Sequence, residues 1–140
     1  MLKSKSHLVS AVAAGFIFFG MNAAYAASSD DYSGKVTVLN GHEVSLFGHS
    51  DLNPDCTKFG YSTITSVVRP AHGTIRMVHQ KIFAVFGATN PRYQCNTKGG
   101  PGIRVYYRAN KGYHGSDHAV FSVYSAYGRK GTATIDISVD

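Results

Sequence analysis

The chain has 140 residues, a formal net charge of +6, two cysteines and no tryptophan. At 44% hydrophobic and 16% charged residues it is too apolar for a disordered segment or a solvating tail. Its length matches one ordinary domain, and its basic residues never run longer than two, which argues against a dedicated nucleic-acid-binding arm.

Residues 1–26 read as a cleavable secretory signal peptide. Lys3 and Lys5 give a positive start, Leu8 to Phe19 form an apolar run, and Ala24-Tyr25-Ala26 offers the small-x-small pattern of a cleavage site before Ala27. The run is shorter than the ~20 apolar residues that a spanning helix needs. Cleavage would leave twelve basic and eight acidic residues. No later stretch is apolar enough for a membrane span, so the mature chain is expected to be periplasmic or secreted. Residues 27–34 (Ala-Ser-Ser-Asp-Asp-Tyr-Ser-Gly) read as a flexible leader, with a single domain over 35–140.

From residue 35 the texture is β. Lys35 to Leu39 and Glu43 to Phe47 alternate apolar and polar residues, and Asn40-Gly41 between them predicts a hairpin. Further strands are predicted over 61–68, 73–79, 82–86, 102–108, 118–126 and 131–139. No segment after the leader sustains a helical period for three turns, which predicts an antiparallel sandwich or barrel. Two stretches read as loops, 48–60 around Asn53-Pro54-Asp55 and 87–101 around Asn90-Pro91 and Gly99-Gly100-Pro101. Each loop holds one cysteine. In an oxidising compartment Cys56 and Cys95 allow a single pairing. It closes a loop of about 40 residues and implies roughly 4 kcal/mol of stabilisation. The bond is expected to tie two loops, or a loop to a strand end, and not to cross the core.

Chemistry-bearing patterns are sparse. There is no G-x-S-x-G elbow, Glu43 is the only glutamate, and both cysteines are expected to be bonded. An enzyme is therefore not expected. Six histidines follow the leader: His42, His49, His72, His79, His114 and His118. Their spacing matches no standard ligand pattern. The alternative reading is a copper or zinc site from His72, His114 and His118, if two turns met at one end of a sandwich. Tyr127-Gly128-Arg129-Lys130 reads as an exposed hairpin tip, and tyrosine with arginine is a composition that binding surfaces favour. Tyr127, Arg129 and Lys130 are thus candidate contacts for an anionic partner.

Two further pieces carry a resemblance. The first is Val68-Arg69-Pro70-Ala71-His72-Gly73-Thr74-Ile75. The second runs from Val105-Tyr106-Tyr107 through Gly112-Tyr113-His114-Gly115-Ser116-Asp117 to Phe121, and the closing strand is Thr132 to Val139. In this order they resemble the bacterial Ig-like and cadherin-like repeat domains of surface and secreted proteins. The likeness covers about residues 62–139. Ala109 stands where such repeats usually carry proline, the aromatic position at Phe121 is shifted, and there is one copy with an added cysteine pair.

Within the element, Gly112 and Gly115 permit tight turns, Tyr113 is placed to cover the end of the core, and Asp117 to accept its own loop's N–H groups. Gly73 opens the other motif. A calcium site at Asp117 is the alternative that the resemblance raises, but no acid lies within ten residues of it. The resemblance implies an all-β, Ig-like antiparallel β-sandwich of seven or eight strands. The chain is expected to be a non-catalytic module of the cell envelope that binds a protein or glycan partner or plays a structural role, with no cofactor and no specific nucleic acid.

Overall fold

The computed structural model describes residues 31–140; residues 1–26, read from sequence as a signal peptide, and residues 27–30 of the expected leader lie outside the described residues. The chain runs through β1 (Tyr32–Val38), β2 (Glu43–His49), β3 (Asp51–Leu52), β4 (Lys58–Gly60), β5 (Thr63–Val68) and β6 (Gly73–Ile82). A four-residue helix α1 (Cys95–Lys98) follows, then β7 (Gly100–Ala109), β8 (Gly115–Tyr124) and β9 (Lys130–Val139). The strands form one sheet in the order β1-β9-β8-β5, a second in the order β2-β7-β6, and a small ribbon of β3 and β4. The fold is an all-β sandwich with seven strands in its two main sheets.

Strict alternation in the last three strands builds the core. Val105, Tyr107 and Ala109 of β7 face Ala119 and Phe121 of β8 and Ala133, Ile135, Ile137 and Val139 of β9, all nearly inaccessible. Their outward neighbours, Arg104, Tyr106 and Arg108 among them, remain at the surface or half-buried. Phe47 closes one side of this core by meeting Phe121 edge-to-face at 5.3 Å between ring centroids. Full burial of each large side chain contributes about 1.5–3 kcal/mol.

Three local expectations are corrected. The Asn40-Gly41 turn does not close a hairpin: β1 pairs with β9 and β2 pairs with β7, so the turn carries the chain from one sheet to the other. The reason is that Val36 and Val38 from one sheet, and Val44 and Leu46 from the other, all enter the same core. Moreover, β1 runs parallel to β9, so the first sheet is mixed. Residues 32–34, read as leader, are the first three of β1, and Asp31 accepts the Thr132 N–H at 2.9 Å. Finally, the strands expected over 73–79 and 82–86 are one strand ending at Ile82. Beyond it, the Phe86 N–H and C=O are taken by the side-chain amide of Asn96, at 2.8 and 2.9 Å, so that residue has no backbone groups left for a ladder.

Gly73 is the first residue of β6, and what demands a glycine there is close approach. A Cβ at this position would lie 2.1 Å from Tyr107 Cε2 and 2.6 Å from the Arg108 carbonyl oxygen. Gly73→Ala is therefore expected to destabilise the domain by about 1–3 kcal/mol through overpacking, read as a lower urea midpoint. A midpoint equal to wild type would show that Tyr107 swings away at no cost.

Candidate functional site

Two buried aspartates organise opposite ends of the sandwich, because they flank the two ends of β8. At one end, Asp117 Oδ1 accepts the N–H groups of Ala71 and His118, both at 2.9 Å. Its Oδ2 accepts the His72 N–H at 2.8 Å and the Tyr107 hydroxyl at 2.9 Å. The residue thus pins the turn between β5 and β6 across the sandwich; from its own segment it receives only the His118 N–H. Both oxygens are committed to these donors, which leaves no cation-binding face. Burial raises the Asp117 pKa, but these hydrogen bonds outweigh it and hold the carboxyl below its ordinary value. Burial and the bond to Asp117 in turn push the Tyr107 hydroxyl up.

The glycine-rich element sits at this end. Gly112 and Gly115 have φ of 81° and 135°, where side chains are strained. Tyr113 packs against the core and stacks on the His72 ring, with centroids 3.9 Å apart and planes 7° from parallel. Its hydroxyl donates to the Ser116 carbonyl.

The three histidines proposed as metal ligands are not brought together. His72 stacks on Tyr113, the His118 Nδ1 pairs with Asp136 at 2.9 Å, and the His114 Nε2 meets the Asn40 amide at 3.4 Å. Among the described residues no three histidine, cysteine or acidic side chains form a group that could hold a metal ion. The triad of His72, His114 and His118 is corrected accordingly: each ring is held by a different neighbour.

At the other end, Asp51 is 4% exposed and ties four segments together. Its carboxylate accepts hydroxyl bonds from Ser62 at 2.7 Å and Ser125 at 2.8 Å, and the Ala126 N–H at 2.7 Å. The His49 Nε2 lies 3.2 Å away. Burial alone raises the Asp51 pKa, yet the contacts with His49, Ala126, Ser62 and Ser125 outweigh it and hold the group far below the usual carboxylate range.

Because Asp51 and Asp117 both have lowered folded-state pKa values, the unfolded chain binds more protons in acid. Their stabilisation is complete above the ordinary carboxyl value and is lost as pH falls through it toward the folded values. The urea midpoint is expected to fall progressively below about pH 4. An Asp51→Asn/Asp117→Asn double variant should show a flatter decline; an unchanged slope would assign the acid sensitivity elsewhere.

Beside Asp51, the Cys56–Cys95 disulfide joins the β3–β4 turn to the start of α1. Leu52 and Phe86 pack with the two half-cystines as a small second core. The bond links a loop to a helix end, outside the main core.

This scaffold presents a surface of rings and cations. Gly60 brings the ribbon against the β8–β9 turn, since a Cβ there would lie 2.5 Å from Ala126 Cβ. That approach sets Phe59 on Tyr127, stacked at 4.1 Å and 14° from parallel. Arg92 lies 5.0 Å from the Tyr127 ring and donates to its hydroxyl at 2.9 Å. The Arg92 Nε and the Tyr127 hydroxyl both donate to the Leu52 carbonyl. The Lys58 ammonium is 4.4 Å from the Tyr61 ring, and Tyr61 meets His79 edge-on at 4.2 Å. Lys130 sits 5.4 Å from Tyr124. A groove of ≈ 440 Å³ lined by Tyr61, His79, Lys81 and Pro101 opens alongside.

Of the hairpin-tip residues named from sequence, Tyr127 is part of this cluster, Arg129 closes the turn by accepting the Ser125 N–H on its carbonyl, and Lys130 opens β9. Sequence reasoning missed Asp51, Phe59, Tyr61 and Arg92. The available signal was the crowding of aromatic and basic residues around each cysteine, in Lys58-Phe59-Gly60-Tyr61 and Arg92-Tyr93.

No helix of the described residues is long and apolar enough to cross a membrane. No protein-family model matches the chain, and no curated protein sequence does. Among solved structures, the solution structure of amebosin is 8% identical, with 78% of this chain and 98% of that chain covered at a TM-score of 0.39. PbICP-C in complex with falcipain-2 is 17% identical, with 81% and 92% covered at a TM-score of 0.38. Likenesses this distant assign the chain to no family.

Proposed function

We propose that this chain is an exported, non-catalytic Ig-like module of the cell envelope that binds a protein or glycan partner through its disulfide end. The observation that carries the reading is the gathering of exposed rings at the disulfide end, Tyr61 and Tyr124 each beside a lysine and Phe59 stacked on Tyr127, which Arg92 faces. Phe59, Tyr61 and Tyr124 are each between 44% and 49% exposed. Exposed aromatic surface marks interaction sites in stable domains, and tyrosine and arginine dominate binding energetics there. A rigid support lowers the entropic cost of binding. The disulfide agrees with an oxidising compartment and supports the export reading. The Ig-like assignment rests on the Gly112-to-Asp117 element and the sandwich that it closes.

The test is retention of envelope material on the immobilised, oxidised domain, compared between wild type and Phe59→Ala. Loss of a discrete retained component in the variant is expected. Equal retention by both proteins would remove the disulfide end as the binding surface.

A further inference from the structure

We infer that the ligand of the disulfide end is an anionic polysaccharide, whose sugar rings lie on Phe59 and Tyr61 and whose carboxylate or sulfate groups meet Arg92, Lys58 and Lys130. This inference rests on the binding reading above and gives it a ligand class. Three features carry it.

The first is charge. Lys58, Arg92, Lys98 and Lys130 surround this end against two acids, Asp51 and Asp55, so the cations are in excess. Asp51 is buried under its own donors, and Asp55, which faces Lys98, accepts the Thr57 N–H at 3.0 Å and the Thr57 hydroxyl at 2.6 Å. A concentration of cations with few free carboxylates attracts anionic polymers.

The second is how Arg92 is held. Its Nε and Nη2 are spent on the Leu52 carbonyl and the Tyr127 hydroxyl, which fixes the guanidinium plane, while Nη1 makes no hydrogen bond among the described residues. A fixed guanidinium with an unused donor receives a carboxylate or sulfate oxygen without first losing side-chain freedom.

The third is the pairing of rings with cations. Lys58 with Tyr61, Arg92 with Tyr127 and Lys130 with Tyr124 repeat one arrangement, at 4.4, 5.0 and 5.4 Å. A polymer of charged sugars repeats the complementary one, a C–H ring face beside an anion. An acidic peptide offers the anion but no such face, and would leave the phenyl ring of Phe59 in water. The neighbouring groove along Tyr61, His79 and Lys81 extends the track beyond a single sugar.

The experiment is calorimetric titration of the oxidised domain with polygalacturonate, heparin, dextran and poly-glutamate, at low and high salt. Polygalacturonate or heparin is expected to bind, with affinity falling as salt rises. Dextran is expected not to bind, and poly-glutamate to bind about tenfold more weakly than the charged sugars. Phe59→Ala should cost about tenfold for the charged polysaccharide while the domain stays folded with one cooperative thermal transition. Lys58→Glu/Lys130→Glu should abolish binding. Poly-glutamate binding as tight as the polysaccharide and indifferent to Phe59→Ala would overturn the inference in favour of charge alone. If neither polysaccharide bound while retention of envelope material still required Phe59, the ligand class would fall and the binding surface would stand. Polysaccharide binding unchanged in every variant would place the site elsewhere and overturn both.

Discussion

Asp51→Ala is expected to lower the unfolding free energy by about 3–5 kcal/mol, because it removes a buried charged acceptor and strands its donors. The Ser62 and Ser125 hydroxyls and the Ala126 N–H would lose their partner together, at an end of the domain where Ser62 and Ser125 are themselves buried. Asp51→Asn keeps one acceptor oxygen and should fall between wild type and alanine. Urea unfolding at pH 7 gives both values, and a loss under about 1 kcal/mol for alanine would mean that water replaces the carboxylate. The same substitution bears on binding. Asp51 ties β3 to the Ser125–Ala126 turn, the contact that sets Phe59 against Tyr127. Asp51→Ala should therefore weaken partner retention even in the fraction that remains folded.

The second large effect is expected from the disulfide. Reduction, or the pair Cys56→Ala/Cys95→Ala, should cost about 4 kcal/mol for a closed loop of this length. The cysteines are 39 residues apart in sequence, and the loop between them contains β4, β5 and β6. Against a net stability of about 5–15 kcal/mol for a typical domain, either loss is a large fraction and both together approach the whole. Cys56 also has φ of 71°, a left-handed conformation uncommon outside glycine. Once the bond is gone, Cys56→Gly/Cys95→Ala should be more stable than Cys56→Ala/Cys95→Ala by up to about 1 kcal/mol. Urea midpoints of the three proteins check this, and a shift below about 0.5 kcal/mol on removing the bond would show the loop to be held by other contacts.

The strands that pack the centre were the legible part of this sequence. β7, β8 and β9 alternate so regularly that Val105, Tyr107, Phe121, Ile135 and Ile137 declare their inward faces, and a chain with two cysteines leaves one pairing. The partnering of the first strands was less legible. Alternation in Lys35 to Leu39 and Glu43 to Phe47 says which face is buried and nothing about which sheet supplies the neighbour. A turn that fits a hairpin fits a change of sheet equally well. Asp51 was invisible for a related reason: its partners Ser62, Ser125 and Ala126 are distant in sequence and meet only when the sandwich closes. The candidate surface lay between these cases. Tyr127 and Lys130 stood out as a turn of suitable composition, while Phe59 and Arg92 gained meaning only by stacking or bonding onto Tyr127.

The parallel pairing of β1 with β9 bears on the order in which the domain is completed. Residue 31 meets residue 132 across a sequence separation of 101, and Tyr32 through Val38 lie beside Ala133 through Val139. A ribosome releases β1 first and β9 last, so the earliest strand has no ladder partner until almost the whole domain has been made. β1 therefore has no ladder partner while β2 to β8 are produced. Long-range closure of this kind slows folding relative to a chain built from neighbouring hairpins. It also leaves the first sheet without its β1 edge until the last strand is available.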